Sequence, residues 1–328
     1  MASEHKHLYR VYSDGADHLA GVSGRLRHSA YGREAYPAVG DWVVITPTGD
    51  GSQDRAVIHA VLPRRSKFSR KVAGKVMDEQ IVAANVDTVF IVNALNHDFN
   101  LRRIERYLTV AWDSGATPVV VLTKADLCSD LSSRVNSVEA VAAGVAVHAI
   151  SCFTGQGVDG LAQYLPLGRT VALLGASGAG KSTIVNRLLG TDAQRTQDVR
   201  EGDDRGRHTT TARELIRVPG GGLVIDTPGM RELQLWVGDD DAVTDVFDDV
   251  SRLAASCKFS DCSHEGEPGC AVRRALDAGA LDESRFESFL KLQREHAYMS
   301  RKENIRELLA ERDRWKKINM QFRKADKR

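Results

Sequence analysis

Near the middle of the chain, Gly175, Ala176, Ser177, Gly178, Ala179, Gly180, Lys181 and Ser182 fit the spacing GxxxxGK[ST]. An apolar run, Val171 to Leu174, precedes them and a helix-like stretch, Thr183 to Leu189, follows. Strand, glycine-rich loop and helix in that order turn successive backbone N–H groups toward a phosphate, helped by the positive helix N-terminus. Lys181 would reach the β- and γ-phosphates and act on the reaction, and Ser182 would ligate Mg²⁺. Thr183, next in the helix, belongs to the same nucleotide-binding set.

Downstream, the apolar run Leu223 to Ile225 ends in Asp226-Thr227-Pro228-Gly229, a DxxG motif about fifty residues after the phosphate loop. Asp226 would hold Mg²⁺ through water, and the Gly229 amide would sense the γ-phosphate. Between the two motifs, Arg205 to Thr211 is placed like a switch loop closing over Mg²⁺ and γ-phosphate. Thr210 and Thr211 are both candidate Mg²⁺ ligands, and spacing does not choose between them.

A base-reading motif lies upstream instead. Thr123, Lys124, Ala125 and Asp126 end the apolar run Pro118 to Leu122. A carboxylate accepts from both N1–H and the exocyclic amine of guanine, a pairing adenine does not offer. Lys124 would pack its stem along the base, and Thr123 stands where Asn is usual. Ser151 and Cys152, in a loop running to Gly157, would offer backbone N–H groups to the guanine oxygen. In most GTPases the phosphate loop comes first and the guanine reader last. Here the reader lies about fifty residues before the loop, the order of a circularly permuted GTPase. In Ras-like GTPases a Gln after DxxG orients the attacking water. Met230 holds that position and cannot bind water usefully, so slow intrinsic hydrolysis is expected. His208, in the switch segment, is the in-chain candidate for the missing role.

A second constellation is Cys257-x₄-Cys262-x-His264-x₅-Cys270. Three thiols and an imidazole form a structural Zn²⁺ set, closed and tetrahedral, one ion per chain. The chain has five cysteines, and that odd number disfavours a disulfide framework. Cys128 and Cys152, beside the base-reading motifs, are expected to pack.

The elements that must position these residues differ along the chain. At 328 residues it is long enough for two or three domains. A net charge of +1 argues against a generally polybasic protein. No run of eighteen apolar residues suggests a membrane span, and residues 1–6 lack a basic-then-apolar signal pattern, so a cytoplasmic protein is expected. Up to Ala83, short β-branched runs at Val43–Ile45 and Ala56–Val61, punctuated by Gly, Pro, Asp and Ser, fit a small barrel. Arg64, Arg65, Lys67, Arg70, Lys71 and Lys75 follow. Near-continuous apolar runs at Val86–Val92, Pro118–Leu122, Val145–Ile150, Val171–Leu174 and Leu223–Ile225, with helical spacing at Leu101–Trp112, imply a parallel sheet covered on both faces. From Asp239 the pattern is helical, with a basic end from Arg312 to Arg328. The expected division is 1–83, 84–238 and 239–328.

Together these residues resemble the ribosome small-subunit-dependent GTPase A family, RsgA or YjeQ, over nearly the whole chain. Its marks here are Val39-Gly40-Asp41-Trp42-Val43, Phe68 to Lys71, Ala83 to Asp87, Asp98 to Tyr107, Gly206 to Thr211 and the Cys₃His cluster. The resemblance implies a multidomain protein: an N-terminal OB-fold β-barrel, a central permuted α/β P-loop GTPase domain and a C-terminal, mostly α zinc domain. It also implies a monomer binding the small ribosomal subunit and its rRNA during late maturation, with subunit-stimulated hydrolysis of GTP to GDP. Two other classes share parts of the pattern: a P-loop kinase, which lacks the TKAD and DxxG pair, and a non-catalytic RNA-binding module gated by nucleotide.

Overall fold

The computed structural model describes residues 1–5, 8–14, 16–30, 32–48, 55–72, 78–190, 213–226, 246–294 and 297. His208, Thr210, Thr211, Gly229, Met230 and the basic end of the chain lie outside the described residues. Two compact units divide the chain, Met1–Lys71 with Glu79–Leu235, and Val72–Asp78 with Trp236–Arg328.

The first unit begins with an antiparallel meander of β1 (Ser3–His5), β2 (Leu8–Tyr12) and β3 (Asp17–Val22). The short helix α1 (Gly24–Ser29) follows, capped by the Ser23 hydroxyl, which accepts from the Leu26 N–H. Strands β4 (Val43–Pro47) and β5 (Arg55–Val61) pair antiparallel, and β5 lies parallel to β3. Tyr9, Val11, Ala20, Ala56 and Ile58 alternate inward along these strands and are buried. Strands β6 (Lys67–Val72) and β7 (Asp78–Ala84) pair as a separate ribbon.

The α/β portion supplies β8 (Thr88–Ala94), α2 (Leu101–Asp113), β9 (Thr117–Thr123), α3 (Leu131–Val141), β10 (Ala146–Ala149), β11 (Thr170–Gly175), α4 (Lys181–Leu189), β12 (Glu214–Arg217) and β13 (Leu223–Asp226). Every residue of β8 and β11 is buried, which is why they read as unbroken apolar runs. Their side chains share a core with Val119 and Val121 of β9, Ile184 and Val185 of α4, and Leu161. Each large apolar side chain so buried stabilises the fold by about 1.5–3 kcal/mol. In α2 the Asn100 side chain accepts from the Arg103 N–H at the N-terminus. Ile104, Leu108 and Ala111, spaced by helical turns, are buried.

One sheet of eleven strands runs through the unit in the order β10-β9-β8-β11-β13-β12-β1-β2-β3-β5-β4. The first five strands are mutually parallel, whereas β12 is antiparallel to β13. Strand β12 then carries β1 on its other edge, with Ser3 opposite Glu214. The Leu215 N–H donates to the Ala2 carbonyl at 2.8 Å, and the Tyr12 hydroxyl donates to the Leu215 carbonyl at 3.3 Å. Arg217 lies 4.0 Å over the Tyr12 ring.

Several marks of the family resemblance are joints in this frame. Gly40 adopts φ +91°, and a Cβ there would stand 2.0 Å from the Ala84 carbonyl oxygen. The buried Asp41 carboxylate accepts from Arg64 Nε at 2.8 Å, Arg64 Nη2 at 2.7 Å and the Ala38 N–H at 2.7 Å. Asn85, at φ 54°, accepts from the Arg65 N–H and donates to the Gly40 carbonyl. Asp87 joins the starts of β8 and β11 by accepting from the Thr170 N–H and Arg169.

The second unit, where described after residue 245, combines helices with the turns that carry the Cys/His cluster. It holds α5 (Asp248–Ala255), α6 (Ala271–Asp277) and a helical stretch over 283–294. Phe247, Val250, Val272, Phe286 and Phe289 are buried in it. Arg285 grips the Asp249 carboxylate through Nε and Nη2, each at 2.7 Å.

Candidate nucleotide site and metal centre

Strands β9, β10, β11 and β13 are parallel, so their carboxyl ends share one edge of the sheet, where ligands of open α/β sheets bind. Thr123 ends β9, with Lys124 and Asp126 after it; Ser151 and Cys152 follow β10; Gly175 ends β11, with residues 176–183 after it; Asp226 ends β13. The topology thus puts the described candidates at one edge of the sheet.

The glycine-rich loop owes its path to three glycines. A Cβ on Gly175 would sit 2.3 Å from the Val92 carbonyl oxygen, so β11 and β8 leave no room for one. Gly178 and Gly180 adopt φ +70° and +95°, the left-handed region that glycine enters without strain. Gly180 is the N-cap of α4 and offers no side-chain cap, so the first N–H groups of the helix open toward the loop. Lys181 Nζ donates to the carbonyls of Gly175 at 2.7 Å and Ala176 at 2.6 Å, holding its ammonium over the loop.

Hydrogen bonds tie the turns after β9 and β10 to this loop and its helix. Buried Thr123 donates its hydroxyl to the Ala179 carbonyl at 2.6 Å. Lys124 takes φ 59°, uncommon for a residue with a side chain, and opens the turn that exposes Asp126. The Ala125 N–H donates to the Ile150 carbonyl at 3.1 Å, joining the β9 turn to the one after β10. Arg187 of α4 donates through Nε and Nη2 to the Cys152 carbonyl at 2.9 and 2.5 Å. Burial pushes the Cys152 thiol above its ordinary pKa, with the Arg187 charge acting the other way, so it packs as a neutral group. Sequence reasoning missed Arg187 and the Ala125 tie. An isolated Arg on a helix reads as a solvated face, and no spacing signals a backbone bond between loops.

In the second unit, Cys257, Cys262, His264 and Cys270 place their donor atoms within 4.8 Å of one another. Cys257 Sγ lies 3.9 Å from Cys270 Sγ, and His264 Nδ1 lies 3.7 and 3.5 Å from those two sulfurs. Tetrahedral bonds of about 2.3 Å to sulfur and 2.0–2.1 Å to nitrogen require edges of roughly 3.8 Å between sulfurs and 3.6 Å between sulfur and nitrogen. The three edges among Cys257, His264 and Cys270 match that geometry, and the four donors could hold one metal ion. The Ala271 and Arg273 N–H groups donate to Cys257 and Cys270 Sγ, each at 3.3 Å. Glu267 accepts from the N–H groups of Ser263, Glu265 and Gly266 and from the Ser263 hydroxyl, pinning the loop between the ligands. Those bonds, led by the Ser263 hydroxyl, hold its carboxyl well below the usual range.

The sheet order, with the phosphate-loop strand β11 central and β8, β9 and β10 earlier in the chain, is that of a circularly permuted P-loop GTPase fold. Comparison with known proteins agrees. The RsgA GTPase family pattern matches residues 61–236. A small ribosomal subunit biogenesis GTPase RsgA of Opitutus terrae is 52% identical over 324 residues, covering 97% of this chain and 88% of that protein. The crystal structure of YjeQ from Thermotoga maritima is 27% identical with a TM-score of 0.65, covering 90% of this chain and 96% of that one. YloQ, described as a circularly permuted GTPase, shares the fold at 22% identity and a TM-score of 0.59, over 90% of this chain and 93% of its own. The chain belongs to the RsgA GTPase family.

Proposed function

We propose that this chain hydrolyses GTP in the service of small ribosomal subunit biogenesis, acting in the cytoplasm as a monomer on the subunit and its rRNA. The observation that carries the reading is the permuted site itself, a guanine-type reader knitted to a phosphate loop that follows it, in a chain 52% identical to a protein so named. Residues 175–183 would cradle the phosphates, with Lys181 balancing charge on the β- and γ-oxygens. Ser182, Asp226 and either Thr210 or Thr211 would hold Mg²⁺, which supplies electrostatic stabilisation of the charge developing during phosphoryl transfer. The Gly229 amide would sense the γ-phosphate, and His208 would position water where Met230 cannot. Lys124, Asp126 and the 151–152 turn would select guanine, with Thr123 bracing the turn against the phosphate loop.

The strand order β1-β2-β3-β5-β4, with its parallel β3–β5 contact, supports an OB-fold barrel in the first 83 residues, suited to RNA. The Cys₃His set would hold one structural Zn²⁺ in a C-terminal helical domain. Chelation at neutral pH should then release zinc and reduce the helical circular dichroism signal; an unchanged spectrum and no released zinc would remove the metal from this reading.

The test of the enzyme reading is GTP turnover by purified protein with and without small ribosomal subunits, with ATP as competitor. Turnover should be slow alone, stimulated by subunits and indifferent to ATP. Absence of stimulation would favour a nucleotide-gated RNA-binding module, and competition by ATP would favour a kinase-like site. His208→Ala should lower turnover without weakening GDP binding; equal turnover removes His208 from the mechanism.

A further inference from the structure

We infer that Arg187 is a positioning residue for guanine recognition, orienting the peptide between Cys152 and Phe153 so that its N–H can meet a purine 6-carbonyl; the inference rests on the GTPase reading above. Arg187 lies on the phosphate-loop helix α4, yet its guanidinium is spent on the loop after β10. Nε and Nη2 donate to the Cys152 carbonyl at 2.9 and 2.5 Å, and Nη2 reaches the Phe153 carbonyl at 3.5 Å.

In a trans peptide the carbonyl and the following N–H point in opposite directions. Holding the Cys152 carbonyl toward α4 therefore turns the Phe153 N–H away from it. The rest of the loop spends its donors internally. The Ser151 N–H goes to the Gln156 carbonyl, the Thr154 N–H to the Ser151 hydroxyl and the Gly155 N–H to the Ser151 carbonyl. Among the described residues the N–H groups of Cys152 and Phe153 meet no acceptor. Phe153 is 86% exposed, so its side chain does not anchor the turn. Among the described residues, the hydrogen bonds made to this peptide itself come from Arg187.

Two adjacent free donors match a purine that presents an oxygen at C6. Adenine presents an amine there, setting donor against donor. The Ala125–Ile150 backbone bond keeps Asp126, the acceptor for N1–H and the 2-amine, on the neighbouring turn. Guanine reading thus divides into a carboxylate half that Arg187 does not touch and an amide half that it orients.

That division gives a test with an internal control. Affinities of full-length wild type, Arg187→Ala and Arg187→Lys would be measured for GDP, 6-thio-GDP and IDP. Sulfur is a weaker acceptor than oxygen, so 6-thio-GDP reports the amide half. IDP lacks the 2-amine and reports the Asp126 half. Wild type should prefer GDP over both. Arg187→Ala should lose most of the preference over 6-thio-GDP, a change of roughly tenfold for one well-placed hydrogen bond, and keep the preference over IDP. Arg187→Lys, with one point charge in place of the fork, should fall between. Equal weakening of all three ligands in Arg187→Ala, with both ratios unchanged, would make Arg187 a mere brace and overturn the inference. Failure of wild type to bind GDP at all would overturn the GTPase reading beneath it.

Discussion

Thr123 has a partner that spacing alone does not show. As part of TKAD it reads as a base contact in the place of Asn. In the fold its hydroxyl is buried and engaged by the Ala179 carbonyl, 56 residues further along the chain. Thr123→Val keeps the shape and leaves that carbonyl without its donor, which should cost about 1–3 kcal/mol. GDP binding should weaken with it, because Ala179 belongs to the phosphate loop. Urea unfolding and labelled-GDP titration of the variant would check both; unchanged values in both would leave the bond without consequence. The phosphate loop itself was legible, since glycine, lysine and serine at fixed offsets have one physical use. Arg187 was not, because its partner is a carbonyl and a carbonyl has no residue type.

At the scale of elements, legibility followed burial and length. Strands β8, β9 and β11 are covered on both faces and announce themselves as apolar runs, and α2 shows its helical spacing. Strands β1 and β12 have three and four residues and pair at the edges of larger pieces, too short for alternation to register. Glycine joints were visible only as motif letters. Gly40→Ala would force a side chain into φ +91° and against the Ala84 carbonyl, so a loss of about 2–4 kcal/mol is expected in chemical denaturation of the first unit. In the helical unit, burial, the largest influence on Asp249, pushes its pKa up, but hydrogen bonds and charge from Arg285 outweigh it and hold the carboxyl below its ordinary 3.8. The folded state therefore binds fewer protons than the unfolded one in that range. The stabilisation is complete above about pH 4 and lost as pH falls through the lower folded value. Asp249→Asn should flatten the acid side of the unfolding midpoint against pH and lower the plateau near neutrality; a parallel curve would assign the acid limb to other groups.

Over the whole molecule, the sequence pointed to a β-rich beginning, an α/β middle and a helical end carrying a Cys₃His set. It did not disclose that the first two share one sheet through β1 and β12, because that contact rests on backbone pairing and on Tyr12 and Arg217, none of which forms a pattern. Ligand linkage should therefore reach the N-terminal strands. GDP at about 100 times its dissociation constant stabilises a binding-competent state by about 2.7 kcal/mol. Amide hydrogen exchange in β2 and β3 should slow along with that in β11 if the sheet opens as one body, and Lys181→Ala should abolish both effects. Slowing confined to β11 would show that the two parts open separately.

The pairing of Ser3 with Glu214 also has a consequence during synthesis. Strand β1 leaves the ribosome about 210 residues before the edge it docks against. At 5–20 residues per second the wait is roughly 10–40 s. The guanine-type reader is likewise made before the phosphate loop, so neither half can be steadied by nucleotide until the middle of the chain has emerged. The N-terminal strands must hold themselves together through that interval. Their final closure comes only with β12 and β13, which makes completion of the nucleotide site and completion of the sheet a single late event in the birth of the protein.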